Sequence, residues 1–154
     1  MPVKLEDILE GIELQSEESL AYLNRETSEI VYVSEKALLI AEDGEEYEHL
    51  PDWQQEEAQR AYDIVESSGK YISLPTSFDI HEYDMIERFC YRISDPKNQD
   101  LLLHAIKGKG AFRRFKDTLH RLEMIHQWYE YRDQSYKEVA KEFCESNSID
   151  YIEE

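Results

Sequence analysis

The sequence predicts an α+β fold: a small antiparallel sheet (a hairpin plus a third strand) packed against a predominantly helical carboxy-terminal part. Three observations carry that expectation. Leu5, Ile8, Leu9 and Ile12 stand at i, i+3, i+4 and i+7, the spacing of an amphipathic helix, and similar stripes fill the chain from Asp79 to Asn147. Two β-prone runs, Leu20–Leu23 and Ile30–Val33, flank the polar stretch Asn24–Glu29, as in a hairpin. A further β-prone run, Tyr71–Leu74, is stopped by Pro75; a lone hairpin is marginal in water, so a third strand is needed to complete the sheet.

At 154 residues the chain fits a single domain, 1–154, with a mixed hairpin and helix part over 1–74 and a helical part over 75–148. A chain of this size buries about 70% of its unfolded surface, so no metal or disulfide is required to hold it. Its 11 tyrosines and 5 phenylalanines exclude a disordered chain, which is poor in aromatics. The formal net charge is −18, which repels nucleic-acid phosphates and anionic membranes. The charge is uneven. Residues 1–67 hold 4 basic and 19 acidic side chains, whereas residues 68–154 hold 13 and 16. Such a chain either pairs its own halves or presents opposite faces to a partner.

Cys90 and Cys144 form no CxxC or zinc spacing and read as reduced core residues. The amino terminus, MPVKLEDILEGIELQ, lacks the apolar stretch of a signal peptide, and no apolar run approaches the ~20 residues of a membrane span. The expectation is a soluble cytoplasmic protein.

In chain order, the first helix is followed by the hairpin. Ser34–Ala41 reads either as a helical turn or as an extended connection, and Glu42–Glu48 as a solvated acidic loop. Asp52 is the expected N-cap of a helix starting at Trp53, with Trp53, Ala58, Ala61, Tyr62 and Val65 facing inward and Gly69 as its stop. From Asp79, with Glu82 three residues on in the manner of a capping box, a helix is expected to bury Tyr83, Ile86, Phe89, Cys90 and Ile93. Asp95-Pro96 restarts the helical pattern. Leu101–Ile106 supplies that helix's core, and Gly108 closes it. Gly110 opens a basic helix whose apolar face is Ala111, Phe112, Phe115, Leu119 and Leu122. A last helix spans about Ile125–Asn147.

The basic helix is the most specific feature. Lys107, Lys109, Arg113, Arg114, Lys116 and Arg121 gather against one acid, Asp117, in an otherwise acidic protein. Gly108 and Gly110 reach backbone angles closed to other residues, and a glycine turn leading into a helix presents N–H groups to an anion. Arginine adds a planar fork suited to carboxylate or phosphate. The candidate anion- or partner-binding residues are therefore Lys107, Lys109, Gly110, Arg113, Arg114, Asp117 and His120. The plainer reading, that the glycines only punctuate two helices while the arginines pair with the chain's own acids, is favoured by the 35 acids available. The stretch is not a P-loop, because G-x-x-x-x-G-K-[ST] is absent.

Other groupings are weaker. Arg113, Asp117 and His120 share a helical stripe that general-base chemistry could use, but no nucleophile is signalled nearby and paired surface charges explain the row. His81, Glu82 and Asp84 lack a second histidine at helical spacing, so no metal and no cofactor are expected. Trp128, Tyr129, Tyr131 and Tyr136 are spaced as core and rim rather than as a base-stacking platform.

The runs LPTSFDIHEYDMIERFCYRI and GKGAFRRFKDTLHR, followed by HQWYEYRDQSYKEVAKEFCE, resemble Uncharacterised Protein Family 0158, a group of small acidic bacterial proteins. The resemblance is strongest over residues 74–145. It implies a bacterial cytoplasmic protein and carries no catalytic residue or cofactor to this chain. The expected function is a non-enzymatic binding or regulatory module using the basic helix face, in which Arg113 and Arg114 dock an acidic segment of a protein partner, or in which the acidic first half docks a basic one. The alternative is a small enzyme or sensor binding a phosphorylated metabolite or nucleotide at the Gly108–Arg114 helix start. Nucleic acid and membrane are disfavoured as partners, although the acidic half has the composition of a nucleic-acid mimic; the oligomeric state is left open.

Overall fold

The computed structural model describes residues 2–67 and 69–153. Two compact units emerge, one taking the residues up to Asp79 together with those from Val139 onward, the other being Ile80–Glu138.

The first unit begins with β1 (Val3–Lys4) and α1 (Leu5–Leu14), followed by the hairpin of β2 (Ser19–Asn24) and β3 (Ile30–Ser34). Next come α2 (Glu35–Asp43), α3 (Asp52–Glu66) and β4 (Tyr71–Ser73). The sheet order is β3-β2-β4, antiparallel throughout, with Tyr22 opposite Val31 on one side and Ser73 on the other. The fold is α+β with a helical majority, and the third strand completes the sheet as its sequence implied. The hairpin turn is built by Asn24, whose Oδ1 accepts the N–H groups of Glu26 at 2.9 Å and Thr27 at 3.3 Å, an Asx-type turn. Gly11 lies on the buried face of α1; a Cβ there would stand 2.6 Å from a Leu74 methyl and 3.2 Å from an Ile30 methyl. Glycine lets the helix approach the sheet this closely.

Ser34–Ala41 resolves as helix rather than extended connection, because the Ser34 hydroxyl accepts from Ala37 N–H at 3.1 Å and so supplies an N-cap. α2 and α3 enclose a core of Val33, Ala37, Leu38, Ala41 and Ala61. Two expectations for α3 change. Pro51 occupies the N-cap position, so Asp52 is the first helical residue and makes no side-chain cap, although its charge still suits the helix dipole. Trp53, expected in the inner face, is 65% exposed, and Val65 is exposed too; the small Ala58 and Ala61 make the contact instead. The helix ends at Glu66, ahead of Gly69, which takes a positive φ in the following turn.

A short α4 (Ser77–Ile80) leads out of the first unit. It is capped by Thr76 and Asp79, with Asp79 Oδ2 accepting from the Thr76 N–H at 3.0 Å and Thr76 Oγ1 accepting from the Asp79 N–H at 3.4 Å. The capping pair thus sits three residues earlier than the Asp79/Glu82 spacing suggested. His81, at a left-handed φ of 55°, separates it from α5 (Glu82–Tyr91).

In the second unit α5, α6 (Pro96–Ala105), α7 (Ala111–Arg121) and the first part of α8 (Ile125–Ser146) surround an aromatic core. Phe115 meets Trp128 edge-on at 5.0 Å between ring centres and Phe89 at 6.1 Å, while Tyr131 lies 5.4 Å from Phe89, geometries that aromatic quadrupoles favour. Trp128, Tyr131 and Tyr136 are core and rim, as their spacing suggested. Tyr83 departs from its expected buried stripe. It is partly exposed, with its hydroxyl donating to the Ile106 carbonyl at 3.0 Å, and Met85 fills the inner position instead. The Asp95 cap on α6 forms as expected, accepting from Lys97 and Asn98 N–H.

Past α8, β5 (Tyr151–Ile152) runs parallel to β1, pairing Tyr151 with Val3. This second, two-stranded sheet was not anticipated. No helix among the described residues is long and apolar enough to cross a membrane.

Candidate functional site

α7 is set by its two faces. Ala111, Phe115, Thr118 and Leu119 are buried, so every third or fourth residue is committed to the aromatic core and the charged ones must point outward. Gly110 precedes it at φ 77°, and Gly108 has the same angle; both are left-handed positions that glycine occupies without strain.

The two adjacent arginines have different fates. Arg114 folds back on the chain. Its Nε donates to the Ala105 carbonyl at 3.0 Å, and its two terminal nitrogens donate to the carbonyls of Lys109 and Lys107. One guanidinium thus gathers three carbonyls around the carboxy-terminal end of α6, where helix carbonyls lack intrahelical partners and positive charge is favoured. Arg114 also crowds the helix start, since a Cβ on Gly110 would lie 3.0 Å from its Nη1.

Arg113 is exposed. No α7 cation pairs with a carboxylate among the described residues; Lys70–Asp63, Arg132–Glu82 and Lys141–Glu153 are ion pairs formed elsewhere. The chain's many acids therefore do not neutralise this helix. Lys107, Lys109, Lys116, Asp117 and His120 are likewise exposed, and no hydrogen bond joins Arg113, Asp117 and His120 among the described residues. Phe112, assigned to the apolar face by its spacing, is 48% exposed. Lys116 lies one turn further along α7, Arg113 follows Phe112 in sequence, and Lys109 sits just ahead of the helix. The sequence pattern missed it because an aromatic on a helix is ordinarily counted as core.

A concave feature lies along the other flank of α7. Leu101, His104 and Ala105 of α6, with Arg114, Asp117, Thr118 and Arg121 of α7, line a cleft of about 490 Å3. Arg121 donates to the Thr118 hydroxyl at 3.3 Å within it. His120 and His81 do not line the cleft; His104, which no motif marked, does.

Glu82 accepts from the Tyr136 hydroxyl at 2.5 Å and from Arg132 at 3.3 Å, and so serves the interior of the second unit. Among the described residues, no group of three or more His, Cys, Asp or Glu side chains is arranged to hold a metal ion. Cys90 and Cys144 are buried and unpaired, and burial pushes each thiol up to about 11, which suppresses the reactive thiolate.

The model of the Uncharacterised protein family (UPF0158) matches residues 2–154, so the likeness read from residues 74–145 extends to nearly the whole chain. No curated protein and no solved structure matches it.

Proposed function

We infer that this chain, which belongs to the Uncharacterised protein family (UPF0158), is a non-enzymatic docking module whose α7 face holds an acidic segment of a protein partner. The supporting observation is Phe112, exposed on a basic helix with Lys116 one turn away and Arg113 and Lys109 close in sequence, none of them ion-paired with a carboxylate among the described residues. An exposed aromatic on a basic helix suits an acidic peptide carrying a bulky apolar residue. In a chain of net charge −18, such a patch also steers an acidic segment to one place and repels it elsewhere. The same reading sets the protein in the bacterial cytoplasm, a compartment that keeps cysteines such as Cys90 and Cys144 reduced.

A labelled peptide of alternating Glu and Leu with one Phe, compared with its Gln counterpart, tests the reading by fluorescence anisotropy. The acidic peptide should bind, weakening with salt, and Phe112→Ala or Arg113→Ala should lower its affinity by about tenfold. Equal binding of the two peptides, or an unaltered affinity in both variants, would remove the reading.

A second reading is favoured by the cleft between α6 and α7, which His104, Arg121 and the carbonyl-bound Arg114 line together with Asp117. It takes a small phosphorylated metabolite or nucleotide, with arginine and histidine donors meeting the phosphate. Calorimetry with inorganic phosphate, AMP and glucose 6-phosphate decides it: heat abolished by Arg121→Ala supports this site, and no heat from the intact protein rejects it.

A further inference from the structure

The first unit carries a different surface. Leu39 and Ile40 of α2, with Leu50 ahead of α3 and Trp53 in its first turn, line a cleft of about 630 Å3. Trp53 is 65% exposed and Leu39 52% exposed, so large apolar side chains of the lining stand open to solvent. Its polar lining is Glu18, Glu35, Glu57, Lys36, Ser34 and Gln54, with three carboxylates against one ammonium. The surrounding sequence deepens that bias, since residues 1–67 carry 19 acids and 4 bases.

The walls are built rather than loose. Glu57 accepts the Ser34 N–H at 2.7 Å, tying α3 to the start of α2. Gln55 donates to the carbonyls of Leu50 and Glu48 at 2.7 and 3.0 Å. The Tyr62 hydroxyl donates to the Glu45 carbonyl at 2.5 Å. The N–H groups at the start of α2 are also occupied, Glu35 donating to the Glu18 carbonyl at 2.9 Å and Ala37 to Ser34 Oγ. The helix start therefore has little left to offer an anion, and the field in the cleft is that of its carboxylates.

We propose that this cleft is a docking site for a basic amphipathic helix of a partner protein, whose apolar residues cover Trp53 and Leu39 while its lysines or arginines meet Glu18, Glu35 and Glu57. A helix face with anchors at i, i+3 and i+4 covers both Trp53 and Leu39, and tryptophan is a preferred anchor at such interfaces. The carboxylates choose the sign of the partner. This surface is separate from the α7 face and takes the opposite charge.

The test exploits the chain's two tryptophans, because Trp128 is only 3% exposed and Trp53 reports the cleft. The full chain is titrated with a Leu/Lys amphipathic peptide of about 14 residues, close to four helical turns. Comparison peptides are a Leu/Gln counterpart and a scrambled peptide of equal charge and no apolar face. The basic amphipathic peptide should shift Trp53 emission to the blue and shield it from acrylamide. Its affinity, followed by anisotropy of a labelled copy, should fall about tenfold in Trp53→Ala and severalfold in Glu18→Gln with Glu35→Gln. Leu39→Ala provides a second apolar variant, and all four positions are exposed, so their substitution should leave thermal unfolding unchanged. Equal binding of the scrambled peptide shows attraction to bulk charge alone and overturns the proposal, as does equal binding of the Leu/Gln peptide. Absence of any Trp53 response overturns it as well. Concentration-dependent self-association that shields Trp53 without peptide replaces the partner with a second copy, whose α7 carries the same basic and aromatic chemistry.

Discussion

Arg113 and Arg114 are neighbours in sequence with opposite roles, and the difference is measurable as stability. Arg114 satisfies the carbonyls of Ala105, Lys107 and Lys109, so Arg114→Ala should cost about 2 kcal/mol in urea unfolding, discounted for partial solvation. Arg113→Ala should stay within about 0.5 kcal/mol. Arg114→Lys should recover little, since an ammonium cannot span three carbonyls as a planar fork does; equal stability of the two alanine variants would show the carbonyl cap to be idle. A second residue-scale prediction concerns Asp63, whose oxygens accept from Tyr71 at 2.6 Å and Ser67 at 3.0 Å. The Tyr71 hydrogen bond, then that of Ser67, holds the Asp63 carboxyl below its ordinary range. The same carboxylate, followed by burial, pushes the Tyr71 phenol up to about 12. Tyr71 ionises more readily unfolded, so its contribution is complete below about pH 10 and disappears as pH rises through 12. The Asp63 contribution is complete above its unfolded pKa of about 4 and is lost as pH falls through its lowered folded value. Thermal midpoints against pH should therefore fall less steeply in Tyr71→Phe than in the parent between pH 10 and 12.

At the scale of elements, adjacent helices of the second unit finish one another. Gln99 of α6 donates to the carbonyls of Cys90, Tyr91 and Ile93 at the end of α5, and Arg114 of α7 does the same at the end of α6. Helix existence was legible because it follows from apolar spacing and from local signals such as Asp95-Pro96. These endings were not, because the groups that satisfy them come from the next helix. Exposure was misread for a related reason. Trp53, Tyr83 and Phe112 lie on stripes that suggest burial, yet Ala58, Met85 and Phe115 take the inner positions, and only packing decides which neighbour on a stripe turns inward. Glycine was a partial guide to helix ends. α2 closes on Gly44, but α7 closes on Glu123 at φ 58° and α8 on Ser148 at φ 55°. At the end of α7, Met124 N–H reaches the Leu119 carbonyl at 2.8 Å and Glu123 N–H the His120 carbonyl at 3.2 Å, the paired bonds of a Schellman ending. A side chain in this left-handed position is strained, and Glu123 is exposed. Glu123→Gly should therefore stabilise the protein by about 1 kcal/mol in chemical unfolding. Glu123→Ala, which keeps the Cβ, should not.

For the molecule as a whole, sequence order conceals that the first unit is assembled from both ends of the chain. Val3 is buried, its N–H donates to the Asp150 carbonyl at 3.0 Å, and β1 pairs with β5. Strands of two residues leave almost no periodic signal, and a parallel pairing across nearly the full sequence has no local signature. Val3 and Tyr151-Ile152 accordingly carry no strand signal of their own. The candidate surfaces follow charge rather than sequence order, a basic face on the second unit and an acidic cleft on the first, and only the basic one had a motif to mark it. The closure of the first unit has a direct test in two truncations. Ending the chain at Ile152 removes the exposed Lys141–Glu153 pair and should cost no more than about 1 kcal/mol. Ending it at Ser148 also removes β5 and Ile149, whose N–H caps the Cys144 carbonyl at 2.8 Å. It uncovers Val3 at the opposite end of the sequence. Lost strand pairing and apolar burial together should lower stability by about 3 kcal/mol, read as a fall in the thermal midpoint. The difference between the two truncations isolates the strand pair from the charged tail. If both unfold at the same temperature, β5 does not hold β1 in place, and the first unit is closed by α8 alone.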